Sequence, residues 1–285
     1  MKKNFLFAAM SIMALASCSN DDIVDVNNGS GISFRTSLDK AVTRANTTNL
    51  QNLAAFNVTA IGDGKSYFTN LGVTSDNNGA SWKTASTYYW PSYQLAFFAY
   101  APQTPSGTVA AKKITDFSPA QAVTGQKDLV ISYNTGTKAL NENSGVAMNF
   151  KHALSQIEVK AKCSNDKIKV EIMGVKLVNA AAKADFTFPE TETNTGFALQ
   201  QSQWSNWREK NDPAKAYMIK GQKAVTLTAD AQSVMFGDNN FMLIPQQLTK
   251  WNGTAATTGA YLSVLCRIYS LNDGNETLLY PQPTA

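Results

Sequence analysis

Apolar and polar residues alternate with a period of two along most of the chain, which is typical of β-strands. Four stretches show the pattern most clearly, and they begin at Ile32, Phe56, Ile157 and Leu262. Turn-forming clusters separate the strand patterns, at Gly62–Gly64, Asp76–Gly79 and Asn272–Gly274. Long amphipathic helical windows are scarce. The pattern therefore predicts an all-β chain built of antiparallel β-sandwiches.

Two apolar runs end in the same dipeptide, Pro-Gln, and indicate two similar units in the chain. These runs are Leu95–Gln103 and Phe241–Gln246. The Asn- and Gly-rich segment Asn141–Gly145 is suited to a linker between the units. We therefore expect an N-terminal sandwich domain over residues 31–145 and a C-terminal one over residues 146–285.

The N-terminus has the features of an export signal. Two lysines precede an apolar run, Phe5–Ala16, whose 12 residues are too few for a membrane-spanning helix, which needs about 20. This order predicts a signal peptide over residues 1–17. The Leu-Ala-Ser-Cys sequence that ends at Cys18 resembles the lipobox of bacterial lipoproteins, in which the cysteine thiol receives a diacylglycerol. We expect lipidation at Cys18, the alternative being an incidental cysteine in a cleaved signal peptide.

Residues 18–30 are polar and rich in Asn and Asp, as expected of a tether between the lipid and the first domain. Within them, Ser19–Asp22 resembles the acidic tag that sends some lipoproteins to the outer face of the outer membrane. Acidic residues also occur in any solvated tether. We expect a precursor that is lipid-anchored in the outer membrane and exposed at the cell surface.

Composition narrows the classes of function. The net charge is +4 at pH 7, no Lys/Arg cluster lies outside the signal peptide, and nucleic-acid binding is not expected. Three cysteines are too few for a disulfide scaffold. Two of them, Cys163 and Cys266, fall on apolar faces of predicted strands. They either pair with each other or remain buried thiols.

No constellation of catalytic residues is recognisable in the sequence. His152 is the only histidine, so a Ser-His-Asp triad or a histidine-based metal site would have to use it. It begins an alternating strand, and we interpret it as structural. The segment Gly62–Ser66 is interpreted as a hairpin turn and not as a phosphate-binding loop. We predict no enzymatic activity, no cofactor and no metal site.

An aromatic cluster before a proline leaves two interpretations open. It comprises Tyr88, Tyr89, Trp90 and Tyr93. Such residues pack in cores and at edges, and they also stack on sugars. Trp90 and Tyr93 are therefore candidate ligand contacts.

Several short motifs follow one another in a characteristic order. They are Ile32–Arg35, Val42–Ala45, Tyr88–Pro91, Phe97–Pro102, Asp128-Leu129, Phe150–Ile157 and Phe241–Gln246. With the lipobox, they resemble the fimbrillin family, the Mfa-like subunits and accessory proteins of type V pili. The resemblance implies two tandem transthyretin-like β-sandwich domains and export as a lipoprotein. It also implies trimming at an arginine, and either assembly by strand exchange or a role as an anchor or tip subunit.

The resemblance gives a role to the segment Lys40–Asn49, which is small and polar like a protease-sensitive loop. We expect cleavage between Arg44 and Ala45. The cut would free the preceding strand, Ile32–Leu38, and leave an unpaired edge in the N-terminal sandwich.

A strand from a partner would then replace three apolar side chains, those of Ile32, Phe34 and Leu38. The expected partners are other fimbrial subunits, in a homo- or heteropolymer. Family members usually continue past a segment like Leu279–Pro281, so the chain is either a fragment or lacks the last strand of its second domain. The alternative function is a surface lipoprotein that binds a glycan or a host protein without polymerising.

Overall fold

The computed structural model describes residues 31–38 and 48–282, apart from Asn78, Asp238 and Ala255. The signal peptide, the lipidation site Cys18 and the processing site Arg44–Ala45 lie outside the described residues and stay predictions. Strands make up nearly all of the regular secondary structure in the described part, which confirms the all-β prediction. No helix within it is long and apolar enough to cross a membrane.

In the described chain, nine strands and one short helix, α1 (Lys138–Asn141), precede residue 153. The strands are β1 (Phe34–Leu38), β2 (Ala55–Gly62), β3 (Lys65–Thr74), β4 (Lys83–Thr84), β5 (Leu95–Ala101), β6 (Thr108–Ala110), β7 (Lys113–Phe117), β8 (Val130–Gly136) and β9 (Val146–His152). A 3-10 turn spans Val123–Gly125.

Ten strands follow along the remainder of the described chain. They are β10 (Ser155–Ile157), β11 (Lys160–Ala161), β12 (Ile168–Val178), β13 (Lys183–Thr187), β14 (Trp204–Arg208), β15 (Tyr217–Thr226), β16 (Gln232–Ser233), β17 (Phe241–Leu243), β18 (Tyr261–Asn272) and β19 (Asn275–Tyr280). Two further 3-10 turns span Gln201–Gln203 and Pro213–Lys215.

The largest sheet has seven strands in the order β1-β9-β8-β5-β2-β3-β4. Strand β1 lies at its edge and pairs with β9 in parallel, from Phe34 opposite Val146 to Leu38 opposite Phe150. The other neighbouring pairs are antiparallel. One face of this sheet encloses an aromatic core that includes Phe34, because alternate residues of a strand point to the same side.

Two hairpins form where the sequence predicts turns. Asp63 and Gly64 join β2 to β3 with φ values of 51° and 70°. Asp273 and Gly274 join β18 to β19 with φ values of 48° and 80°. A two-residue turn with φ positive at both positions matches the twist of the flanking strands, and an Asp-Gly pair adopts it readily. The interpretation of Gly62–Gly64 as a hairpin turn is confirmed.

A second sheet, in the order β14-β13-β7-β6, combines strands from both halves of the chain. It packs on the outer face of the seven-stranded sheet, where Phe98 and Tyr133 meet Phe186 and Trp204 in one core. The rings of Phe98 and Phe188 touch edge to face, with centroids 6.0 Å apart. The two halves therefore share a core, as well as a sheet.

The expected domain boundary at residue 145 stays a prediction, and the pairing of the strand that follows it suggests a later position. The segment after Gly145 forms β9, which pairs with both β1 and β8, so the chain leaves the seven-stranded sheet only after His152. The Asn- and Gly-rich segment Asn141–Gly145 contains the end of α1 and the turn into β9. We propose that the N-terminal unit extends to His152 and includes β13 and β14.

The C-terminal part contains a four-stranded sheet, β15-β12-β18-β19, and two two-stranded sheets, β10-β17 and β11-β16. Its core includes Val175, Tyr217, Met235 and Phe241. The alternating stretch from Ile157 to Cys163 does not form one strand, because β10 pairs with β17 whereas β11 pairs with β16.

Candidate functional site

Strand β1 lies in a slot of the aromatic core. Ile32 and Phe34 are buried, and Leu38 is half-buried. The Phe34 ring meets Phe56 and Phe97 edge to face, with centroid distances of 5.9 and 5.8 Å. Burying one such side chain contributes about 1.5–3 kcal/mol. The three residues that the sequence assigns to the displaced strand thus all contact the core.

Polar contacts fix the register of β1. The indole Nε1 of Trp82 donates to the buried Thr36 hydroxyl over 3.0 Å, and the Ser37 hydroxyl donates to Asn149 over 2.6 Å. Before the strand, the Ile32 N–H donates to the Tyr88 carbonyl over 2.7 Å. Strand β1 pairs with β9 on one side, and no described strand pairs with its other side. A single ladder and a row of buried side chains therefore hold the strand.

A buried carboxylate holds the chain where the described residues resume after β1. Asp128 Oδ2 accepts a hydrogen bond from the Thr48 N–H over 3.0 Å and lies 2.6 Å from His152 Nδ1. An open cavity of about 480 Å³ adjoins Thr48 and Asp128. His152 thus contacts a structural carboxylate. That carboxylate, Asp128, also binds the backbone N–H of Thr48, four residues after Arg44.

The edge of β18 presents a second exposed surface. Residues 268–272 of this strand pair with β19, whereas residues 261–267 pair only with β12 within the described chain. Leu262 is 50% exposed and Val264 43% exposed, and the next residue, Leu265, is also exposed on the opposite face. Unpaired N–H and C=O groups beside apolar side chains form a template for another strand. We call residues 261–267 the β18 open edge.

An apolar groove of about 570 Å³ runs beside the β18 open edge. Ile157, Leu177, Phe241 and Leu262 contribute to its wall. Leu177 lies directly opposite Leu262 in the ladder between β12 and β18. The groove thus extends from the core of the C-terminal part to the exposed strand.

The alternation of apolar residues predicts β18, but it does not indicate that half of the strand is uncovered. Alternation alone places Leu262, Val264, Cys266 and Ile268 on one face, and the structure buries only the last two in part. The signal that was available is Leu265, an apolar residue on the face that alternation assigns to solvent. Apolar residues on both faces of a strand indicate a contact on each side.

The candidate ligand contacts in the aromatic cluster lie apart from both edges. The Trp90 ring packs edge to face on Phe97, with centroids 6.0 Å apart, and contributes to the core. Tyr93 is partly exposed and covers Gly62, where an added Cβ would come within 2.5 Å of the tyrosine ring. Ligand binding by Trp90 and Tyr93 stays a prediction.

Cys163 and Cys266 are both free and half-buried. The Cys163 sulfur approaches the carbonyl oxygens of Asn165 and Ile168 at 3.8 and 3.7 Å. Cys266 packs against the C-terminal core. The described residues contain no group of three or more His, Cys, Asp or Glu side chains that would hold a metal ion.

A charged network supports the second sheet. The Asp185 carboxylate accepts hydrogen bonds from Arg208 over 2.7 Å, from Asn206 over 2.9 Å and from the Asp116 N–H over 3.0 Å. The adjacent Arg208 guanidinium, above all, holds the pKa of Asp185 well below its ordinary value, although burial acts in the opposite direction. The network joins β7, β13 and β14.

Comparison with known proteins gives one family. A family model described as fimbrillin-like matches residues 43–279. No curated protein matches the chain. Among solved structures, the chain is similar to a candidate cell adhesion protein from Bacteroides ovatus at 14% identity and a TM-score of 0.45, over 89% of this chain and 87% of that one. A candidate adhesin from the same species has 11% identity and a TM-score of 0.32, over 93% and 86%. Neither likeness is close enough to support an inference about function.

Proposed function

The chain belongs to the fimbrillin-like family of surface-adhesive and fimbrial proteins, and on that premise we propose that it is a structural or adhesive subunit of a bacterial fimbria. In this proposal the precursor is exported as a lipoprotein through Cys18 and anchored in the outer membrane. Cleavage after Arg44 then frees β1, and other subunits assemble with the trimmed chain by strand exchange.

The position of β1 is the observation that carries the proposal. This strand is peripheral in the sheet order yet apolar in its contacts, so its removal exposes Phe56 and Phe97 without breaking another pair of strands. An incoming strand would restore both the ladder with β9 and the burial of those rings, as in β-augmentation. Association would therefore be favourable only after cleavage.

The distribution of arginines supports Arg44 as the processing site. The other three arginines all lie in strands: Arg35 in β1, Arg208 in β14 and Arg267 in β18. Paired strand backbone is a poor substrate for proteases, which cut exposed segments. Arg44 precedes Thr48, which Asp128 holds in place after the cut.

The β18 open edge supports contact with a partner in the C-terminal part as well. Its unpaired backbone, with Leu262 and Val264 beside it, is suited to an added strand. The neighbouring groove would take up the apolar side chains of that strand. Anchor, stalk and tip subunits would differ in which of the two edges receives a partner.

The test uses the full precursor and an arginine-specific protease. Wild type is expected to lose residues up to Arg44 and then to form a ladder of oligomers on size-exclusion chromatography. Arg44→Ala is expected to stay intact and monomeric, whereas Lys40→Ala, the control that removes a basic side chain from the same segment, behaves like wild type. Trimming and assembly of Arg44→Ala at the wild-type rate would refute the processing step. Trimming of wild type without any oligomer would refute strand exchange.

Anchoring has its own test. Cys18→Ser is expected to abolish incorporation of a fatty-acid analogue in the producing cell and to leave the precursor uncleaved at that site. Equal labelling of the variant and wild type would show that Cys18 is not the lipidation site.

A further inference from the structure

A small polar cavity of about 250 Å³ opens where the chain segments after β12, β14 and β17 meet. We call it the Trp207 cavity. It is lined mainly by one indole and several amide side chains: Asn179, Gln201, Trp207, Asn211, Gln246 and Gln247. It involves neither β1 nor the β18 open edge, and neither the aromatic cluster nor the proposed assembly uses it.

Three of these amides are exposed and available. The side chains of Gln201, Asn211 and Gln247 make no hydrogen bond to another described residue. An amide side chain offers both a donor and an acceptor. Three such groups around one small cavity match a ligand that carries several hydroxyl groups.

A buried acceptor at the same cavity is also unused. Asn179 is 5% exposed, and its Nδ2 donates to the carbonyl oxygens of Ala256 and Gly259 over 2.7 and 2.8 Å. Those two acceptors fix the orientation of the amide. Its Oδ1 then accepts no hydrogen bond from any described residue, which is uncommon for a buried polar atom. The wall of the cavity thus includes a buried amide whose oxygen has no donor among the described residues.

The indole is held in place. Trp207 is half-buried against the core of the second sheet, and its Nε1 donates to the Pro245 carbonyl over 3.3 Å. The ring therefore needs little ordering when a ligand arrives, and it offers a flat apolar surface beside polar groups. Small-molecule sites commonly combine an aromatic surface with a few placed polar groups.

We propose that the Trp207 cavity binds one pyranose residue of an oligosaccharide. In this arrangement the sugar ring packs on the indole, while Gln201, Asn211 and Gln247 hydrogen-bond its hydroxyl groups. The exposed Lys210 at the rim, which has no ion-pair partner among the described residues, adds affinity for a sugar that carries a carboxylate. The proposal does not depend on strand exchange.

The test is binding of the full chain to an array of defined neutral and sialylated oligosaccharides. We expect wild type to bind a subset of them, and the double variant Gln201→Ala/Gln247→Ala to bind that subset about tenfold more weakly or worse. Gln200→Ala is the matched control, because Gln200 is an exposed glutamine directly before the same 3-10 turn and does not line the cavity. It should bind like wild type.

Trp207→Phe is a second variant that retains an aromatic ring, and it should weaken binding while the circular dichroism spectrum stays that of wild type. The proposal is overturned if wild type binds no arrayed oligosaccharide. It is also overturned if both cavity variants bind like wild type, or if Trp90→Phe abolishes a signal that they leave unchanged. Assembly of these variants into oligomers is measured separately, so that loss of sugar binding and loss of strand exchange are distinguishable.

Discussion

Asp185 shows how one buried side chain holds three strands together. Its carboxylate accepts hydrogen bonds from Arg208, Asn206 and the Asp116 backbone, and Lys113 Nζ lies 3.2 Å away. Both Asp116 and Asn206 adopt positive φ, at 56° and 52°. Left-handed backbone costs free energy for residues other than glycine. The contacts to Asp185 offset that cost at the register shifts of the two ladders that β13 forms with β7 and β14.

Asp185→Asn is expected to lower the free energy of unfolding at pH 7 by about 2 kcal/mol, because Arg208 loses the more buried of its two carboxylate partners and keeps only Asp116. The pKa of Asp185 is depressed in the folded chain, so its stabilising effect is present above the ordinary value of 3.8 and is lost as pH falls below it. Urea unfolding between pH 7 and pH 2 measures both effects. Asp166→Asn, an exposed control, should retain the pH dependence of wild type. If the stability of the Asp185→Asn variant fell with pH as steeply as that of wild type, Asp185 would not be the source of the pH dependence.

His152→Ala is expected to cost about 1 kcal/mol of stability through loss of the contact with Asp128. Adhesion or oligomer formation should be unchanged, because the histidine contacts a structural carboxylate and lies beyond the residues of β9 that pair with β1. Thermal unfolding and the oligomer assay provide the measurements. A folded variant that has lost all function would reopen the search for an enzymatic role.

At the scale of elements, β18 differs from the other long strands in leaving apolar residues uncovered on both faces. Charged residues on an edge discourage pairing with another chain. Leu262→Lys/Val264→Lys should therefore suppress oligomers that form through the β18 open edge. The cost in monomer stability should be small, since both side chains are about half exposed.

Light scattering after chromatography measures that effect, with Thr277→Lys as the control, which adds a charge at an exposed position of β19 outside the β18 open edge and should assemble as wild type does. If the double variant assembles as wild type does, the β18 open edge is not an interface.

Local signals predicted the elements better than their partners. The pairs Asp63-Gly64 and Asp273-Gly274 determine their turns because an Asp-Gly pair adopts positive φ readily wherever it occurs. This preference is local and does not depend on the rest of the fold. Nothing local indicates that β1 pairs in parallel with β9, or that Ile157 and Ala161 belong to strands with different partners. Pairing between strands that are distant in the chain depends on which apolar faces meet in the fold. Many strands have similar apolar faces, so the sequence does not identify their partners.

The same limit applies to the candidate sites. Ile32, Phe34 and Leu38 were recognisable as one face of a strand, and the structure buries that face against Phe56 and Phe97. The Trp207 cavity was not recognisable, because its amides come from chain segments that meet only in the folded protein. Trp90, which the sequence singled out, packs mostly in the core.

At the scale of the whole molecule, the halves of the chain depend on one another. Strand β7 pairs with β13, and the faces of β5 and β8 are covered by β13 and β14. A fragment ending at Gly145 would expose Phe98, Ile131 and Tyr133 and would lack β9. We expect this fragment to be unfolded, whereas residues 31–208 retain the strands of both sheets.

Circular dichroism and near-ultraviolet spectra of the two fragments test this dependence. Full-length protein should give one cooperative melting transition for the N-terminal unit, monitored through Trp82 and Trp204. A well-folded fragment over residues 31–145 would contradict the shared core.

The parallel ladder between β1 and β9 also has a consequence for the order of folding. Ser37 and Asn149, which are hydrogen-bonded to each other, lie 112 positions apart in the chain. Closing so long a loop is slow, whereas the hairpin of β2 and β3 closes locally. As the chain emerges from the ribosome or crosses a membrane, β1 comes out first and docks only after β9 has followed. The strand that appears earliest is therefore added late to a sheet whose other members have already paired.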